Sequence, residues 1–516
     1  MRPSISTLLI GLAATECSAQ LTSFPNPSTG RGVTAACAAL ERAIPGKVVF
    51  AKDNSTSYHE VQDDYWHAGL SEWAPPCIVL PTAAEEVAAA VKVLNQHPTV
   101  KFAVKSGGHD ANPGHSSIKD GVLIALEQLT GTELDKENGV AHIKPGGNWS
   151  GVIKALDAEG YAVLSGRLGI VGIGGFITGG GMSFLSAQHG LTADTAVNFE
   201  TVRADGSIQN INATSDPEVF RAMKGSTNQF GIVTKFTLKA YPIGQVWGGS
   251  RIYLPDVQRE VLKATHDFIS NPSDPKAAII VNHNMVMGGV TIVQVFFFYD
   301  GTTPPSAAFN GLLEIPSVQD QTAVRSYAEL LDFNSEGAAG FKHRSSWRSI
   351  TLPLLPGDGG IDFMQNLVNN WQNISLPYFS QHAEAVQTIA IQPLPSLFGK
   401  HSQAAGGNAM GLTGSDGPRY IIELSSIWGS PQNGTDDQTI YGLATQVTKY
   451  AERSLATALR QPVNRGAERY NPFFLNDANF NQDVLKSYKD YNSFRWLQRR
   501  NDPAGLFLRR VGGFKY

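Results

Sequence analysis

Val104-Lys105-Ser106-Gly107-Gly108-His109 and, some sixty residues on, Val171-Gly172-Ile173-Gly174-Gly175-Phe176-Ile177-Thr178-Gly179-Gly180-Gly181 are two glycine clusters set in otherwise strand-like and helix-like sequence. Glycine is costly to order, so such density marks places where the backbone turns sharply or lies close against a ligand. Residues 101–105 read as a strand that delivers the chain into the first cluster, and 122–126 and 139–144 as further strands. A helix is expected over 149–159. Upstream, residues 34–43 form a short amphipathic helix bearing Cys37, and 48–50 a strand. Pro75-Pro76-Cys77-Ile78-Val79-Leu80-Pro81 is a proline-bounded strand. Thr82 is the expected N-cap of the Ala/Val-rich helix that follows, with Glu85 in the capping-box position. Short strands alternating with helices and glycine turns predict an α+β domain.

Two phosphate-binding solutions are excluded at the glycine clusters. No Gly-x-x-x-x-Gly-Lys-Ser/Thr loop occurs. The dinucleotide fingerprint started at Gly172 needs glycine or alanine at 177, where Ile177 stands. What remains is a bulky anionic ligand held by two separate glycine loops, whose free N–H groups converge on it.

Near Pro242 the texture changes. Long strands are expected at 246–254 and 290–299, with helices at 255–270, 320–332 and 364–373. Further strands follow at 385–392 and 420–428, and 437–460 reads as the longest helix. Together these predict a second domain, an antiparallel sheet with helices on one face. A helix including 494–500 ends at Asp502-Pro503.

The 516 residues leave room for two or three domains. A net charge of −4 is too small to argue for nucleic acid or a membrane surface, and no basic run appears. Arg2 and the apolar run 8–14, with Ser18-Ala19-Gln20 beyond, form the pattern of a secretory signal peptide over about residues 1–20. Cys17 would leave with it. Cys37 and Cys77 then form an even pair, either a disulfide closing a loop of about 40 residues or two buried free thiols. Acceptor sequons at Asn54, Asn148, Asn212, Asn373 and Asn433 are compatible with a glycosylated secreted protein.

At Lys105-Ser106-Gly107-Gly108-His109 the chain resembles the berberine-bridge-enzyme-like FAD-linked oxidoreductases of the vanillyl-alcohol oxidase superfamily, as a fungal-like secreted member. That family carries an Arg/Lys-Ser-Gly-Gly-His loop and a second loop of the type Val-Gly-x-Gly-Gly-x-x-x-Gly-Gly-Gly, matched by residues 171–181. The resemblance continues through Gly190-Leu191-x-x-Asp194, Phe230-Gly231-Ile232-Val233-Thr234, Leu475-Asn476-Asp477-Ala478, Tyr488 and Asp502-Pro503. It implies a two-lobed PCMH-type FAD-binding domain over 21–243 (core about 73–243) and an α+β substrate domain over 244–465. Residues 466–516 would return to the first domain.

The resemblance implies FAD bonded covalently to His109, the alternative for that residue being a histidine that satisfies a loop hydrogen bond. Cofactor contacts would come from Ser106, Gly107, Gly108, His109, Gly114, Ser116, Val171, Gly172, Gly174, Gly175, Gly179, Gly180, Gly181, Ile232 and Asn476; no metal is expected. Relatives with a second tether carry a cysteine where Leu168 stands, so one covalent link is implied. Glu423 is the implied catalytic base: alternation in Tyr420-Ile421-Ile422-Glu423-Leu424-Ser425 puts Ile421, Glu423 and Ser425 on one face, and its alternative is a structural ion pair. Phe474 occupies the position of the tyrosine that activates sugar hydroxyls in carbohydrate oxidases. His115, His343, Arg344 and Gln392 are further pocket candidates, each weighed against a structural role.

The expected function is oxidation of a small organic molecule, such as a secondary metabolite, by a monomer with dioxygen as acceptor. The rivals are an oligosaccharide oxidase, a flavin-dependent isomerase or cyclase, and a silent flavin-holding glycoprotein.

Overall fold

The computed structural model describes residues 30–272, 274–336, 343–429, 435–464, 466 and 470–516. The expected signal segment 1–20, Cys17 and Asn433 lie outside the described residues.

Three large sheets and one two-stranded ribbon, Tyr161–Ala162 with Tyr241–Pro242, carry the chain among the described residues. In the first, Val48–Phe50 pairs antiparallel with Cys77–Val79, and Cys77–Val79, Val122–Ala125 and Phe102–Lys105 pair in parallel. Cys77–Val79 and Val122–Ala125 are buried on both faces, which is why they read as continuous apolar runs without alternation. Helices Gly30–Ala43 and Ala84–Gln96 share one core with this sheet. The Cys37–Cys77 disulfide joins the first helix to the central strand.

The second sheet is antiparallel, in the order Thr132–Asp135, Val140–Ile143, Ile232–Lys239, Ala196–Val202, Ile208–Asn212. It and the first sheet form two lobes. The third is antiparallel too: Val246–Tyr253, Val290–Tyr299, Ala277–Val286, Val386–Leu394, Arg419–Trp428 and Arg344–Pro353, in that spatial order. Its strands alternate between two cores. Val293, Val295, Phe297, Ile422 and Leu424 pack under helices Gln258–Ser270, Gly357–Phe379 and Thr435–Ala458. Phe298 and Ile421 point the other way, into the core shared with the lobes. The α+β expectation, with helices on one face of an antiparallel sheet, therefore holds.

Some local expectations shift. The helix after Pro81 begins at Ala84 and has no side-chain N-cap. Glu86, not Glu85, accepts from the Thr82 N–H (2.7 Å) and hydroxyl (3.1 Å), because Thr82 and Ala83 precede the helix as one extended step. Residues 320–332 are not one helix. Gln319–Asp320 and Ala323–Arg325 pair with the edge strand Val246–Tyr253, covering its open backbone groups, and the helix starts at Tyr327 behind a Ser326/Glu329 capping box. Among the described residues no helix is long and apolar enough to cross a membrane, and no group of three His, Cys, Asp or Glu could hold a metal.

The disulfide closes a separation of 40 residues. Replacing both cysteines with serine is expected to lower unfolding free energy by about 3–4 kcal/mol in the loop-entropy picture, read as a lowered denaturant midpoint with a somewhat steeper slope, because the unfolded chain expands once the loop is released.

Candidate active site

The two glycine clusters touch. A Cβ added to Gly107 would meet the Gly172 Cα at 2.4 Å, and one added to Gly172 would meet the Gly107 Cα at 2.6 Å. Ser106 locks the crossing: its hydroxyl donates to the Pro145 carbonyl (2.5 Å) and accepts from the Gly174 N–H (3.0 Å). Gly108 follows at φ +64°, a conformation that strains any side chain. Beneath it the wholly buried Lys105 ammonium pairs with Glu127 (3.0 Å) and Asp64 (3.3 Å). A charge so deep is stable only when paired in this way.

His109 emerges from this turn beside two indoles, its ring centroid 4.7 Å from Trp66 and 5.4 Å from Trp347, which themselves stack 6.2 Å apart. Burial pushes its pKa down to about 4 against the pull of Asp110, so the imidazole is neutral and nucleophilic near pH 7. Asp110 itself accepts from His115 Nδ1 or shares its proton at 2.8 Å.

A cavity of about 410 Å³ opens beside His109. Ser106, Gly107, Gly108, Ser116, Val171, Gly172, Gly174, Gly175, Ile232 and Asn476 line it, as do Leu168, His115, Phe474 and Glu423. Four expected positions are elsewhere. Gly114 lies behind the wall, where Gly512 packs so closely that a Cβ would approach the Gly114 carbonyl to 1.8 Å. Gly179, Gly180 and Gly181 wrap Asn476, whose Oδ1 accepts from the Gly181 N–H at 3.0 Å and whose Nδ2 donates to the Phe176 carbonyl at 3.2 Å. Arg344 is held by Glu72 and Asp437, and neither it nor His343 reaches the cavity.

The walls fit FAD. Glycine backbones at 107, 172, 174 and 175 let a ligand approach the main chain, and Val104, Leu126, Pro145 and Phe236 supply apolar surface. The Ser116 and Thr227 hydroxyls, the Asn228 carbonyl oxygen and the Trp66 indole N–H are buried on the same wall without a protein partner. Buried polar atoms left so are costly unless a ligand or water meets them.

Opposite, the third sheet presents Glu423 and Ser425 on the face predicted by alternation. Gln392 donates through Nε2 to Glu423 (3.0 Å) and to Asp477 (2.8 Å), and its Oε1 accepts from Arg167. Burial raises the proton affinity of both carboxyls, and the Asp477 charge raises that of Glu423 further. Sequence reasoning missed Arg167 and Asp477; Gln392, a pocket candidate weighed against a structural role, holds the two acids without lining the cavity. An arginine within a glycine-flanked loop and an acid directly after Asn476 were the available signals.

A family model described as an FAD binding domain matches residues 75–212. The chain is 34% identical to an FAD-linked oxidoreductase of Arthroderma benhamiae, over 90% of this chain and 91% of the relative. It is 31% identical to the FAD-dependent monooxygenase sdcF of Emericella nidulans, over 93% and 98%. Among solved structures it resembles a variant of berberine bridge enzyme described as a reticuline dehydrogenase, with a TM-score of 0.74 at 16% identity over 93% of this chain and 100% of that one. That last likeness speaks for the fold.

Because the loops meet backbone to backbone, Gly107→Ala should force them apart. A loss of about 3 kcal/mol is expected from overpacking, seen as a lowered thermal midpoint together with loss of bound flavin absorbance. Wild-type flavin content in that variant would refute the role given to the crossing.

Proposed function

The chain belongs to the berberine-bridge-enzyme-like FAD-linked oxidoreductases, and from that premise we propose that it is a secreted oxidase of small organic molecules with FAD bonded to His109 alone. The observation that carries this reading is one cavity with a neutral, indole-flanked imidazole on one wall and a buried carboxyl on the other. Bound flavin supplies a two-electron acceptor for hydride. The protein supplies the rest.

Trp66, Trp347 and Phe474 offer flat apolar surface that shields a substrate from water. Phe474 has no hydroxyl with which to take a proton, which supports a substrate other than a sugar. Glu423 is the proposed base, removing a proton from the substrate's hydroxyl or amine as its C–H hydrogen departs. Leu168 on the cavity wall provides no second tether. Dioxygen is the proposed electron acceptor for a monomeric enzyme. Domain limits at 243 and 465 are part of the same reading.

Denatured in acid, the protein should keep yellow flavin on the polypeptide, and His109→Ala should release it; a colourless wild-type pellet would refute covalent attachment. Glu423→Gln should slow anaerobic bleaching of the flavin by substrate about 100-fold or more. Only the ionised carboxylate is a base, and its proton affinity is raised. The wild-type rate should therefore climb with pH well above the ordinary carboxylate range, reaching its plateau only once Glu423 has ionised. Relatives are named monooxygenases; with labelled dioxygen, label in peroxide fits the oxidase reading, and label in the organic product replaces it.

The disulfide supports export, since such bonds persist in oxidising compartments. Asn54, Asn148 and Asn373 are exposed. Secreted protein should lose mass on enzymatic deglycosylation; an unchanged mass would remove glycosylation from the proposal.

A further inference from the structure

The acid opposite His109 has a partner that the reading of Glu423 as base does not use. Asp477 lies on the short turn Leu475–Asp477 and lines the same cavity. The Gln392 amide has two N–H groups, and each is committed to a different carboxylate, Glu423 at 3.0 Å and Asp477 at 2.8 Å. Its oxygen accepts from Arg167. That threefold bonding fixes the amide's orientation. Reversed, it would set its oxygen against two carboxylates and its N–H groups against a guanidinium. The two acid oxygens are thus separated by no more than two hydrogen bonds to a common nitrogen.

The charges are unequal to the acids. Among the described residues Arg167 makes no direct ion pair with either carboxylate; it bonds the Gln392 amide that holds them and acts on both acids through space. From the other elements packed around Glu423, the facing strands bring Ser349 and Ala390 opposite it, neither ionisable. Tyr327 acts on Arg167, and His109 across the cavity is neutral. Two buried like charges this close cannot both persist against a single arginine one amide away. The direction of the proton affinities, raised at both sites, agrees.

We propose that Asp477 is a second catalytic carboxylate, and that it and Glu423 work as one acid–base unit that rests with a single proton on Glu423, gives that proton up to solvent and regains one from the substrate. This deepens, and rests on, the proposed role of Glu423. In the step, the substrate's O–H or N–H bond breaks and its proton joins the ionised Glu423 carboxylate, returning the unit to its singly protonated form. The hydride leaves from the adjacent carbon to oxidised flavin, and the added proton later returns to solvent. Gln392 and Arg167 are positioning residues, which keep the two acids facing one point.

The test compares wild type, Asp477→Asn, Asp477→Glu and Glu423→Gln as flavin-loaded enzymes. Anaerobic reduction rates are measured against pH, and the protonated-carboxyl band is followed against pH by infrared spectroscopy on resting enzyme, which needs no turnover. Wild type should show a carboxyl band at neutral pH that is absent in Glu423→Gln or moved in frequency. In Asp477→Asn the neighbouring charge is gone, so Glu423 should lose its proton about one pH unit lower or more. The rate profile should move to acid by the same amount, with the maximum rate down about 10-fold. Asp477→Glu should restore the wild-type profile. If Asp477→Asn does not load flavin, Asp477→Ser removes the same charge with a smaller side chain. An unmoved band and an unmoved profile in the charge-free variants would overturn the paired unit while leaving Glu423 as base. Full activity in Glu423→Gln would instead overturn the reading on which it rests.

Discussion

Two backbones cross at Gly107 and Gly172 with no space for a methyl group between them, and the dimensions of the site follow from that contact. One strand of the first lobe ends at Lys105; the second loop enters helix Ile173–Thr178 from Gly172. Only glycine lets both chains pass at that height. Ser106 then ties the two loops to Pro145 and Gly174, so the glycine-backed wall is one rigid unit made from separate stretches of sequence. His109 takes its direction from this unit, since Gly108 turns the chain and the backbone N–H of Trp66 donates to the Gly108 carbonyl at 3.0 Å.

Against this wall the third sheet acts as a partition. Period-two alternation sends Ile422 and Leu424 under the helices and Ile421, Glu423 and Ser425 toward the cavity side. Much of this was legible in the sequence, because glycine clusters and a lone acid in an apolar strand are strong local signals. Ala277–Val286 and Arg344–Pro353 were not recognised as strands. Asn282 and His283 interrupt the first, and Arg344, Ser345, Ser346, Arg348 and Ser349 the second, so their apolar pattern is broken by groups whose surroundings are built by other elements. The pairing of Glu423 with Asp477 was illegible for a related reason: it depends on Gln392 and Arg167, brought together only by tertiary structure.

Buried polarity is handled in two ways. Asp194 is satisfied by its own neighbours, accepting from Ser402, from Asn408 Nδ2 at 2.9 Å and from the Leu191 N–H at 2.9 Å. Lys105 is similarly closed off by Glu127 and Asp64. On the cavity wall, by contrast, Ser116, Thr227 and Asn228 keep unspent hydrogen-bonding capacity. The same chain therefore saturates polar groups where they hold the fold and leaves them open where a ligand is to be received.

The cavity draws its lining from Trp66 at one extreme and Gly513 at the other, and the 510–516 segment bridges the cores of the two lobes, Val511 in the first and Phe514 and Tyr516 in the second. Arg510 donates to the carbonyls of Leu94, His97 and Val100, and Tyr516 is bonded to Ser226. Contacts this distant in sequence form late in folding, after loop-closure entropy has been overcome. The glycine loops are therefore backed by residues about four hundred positions further along the chain, so the shape of the flavin wall is a property of the whole folded molecule and not of the motif that announces it.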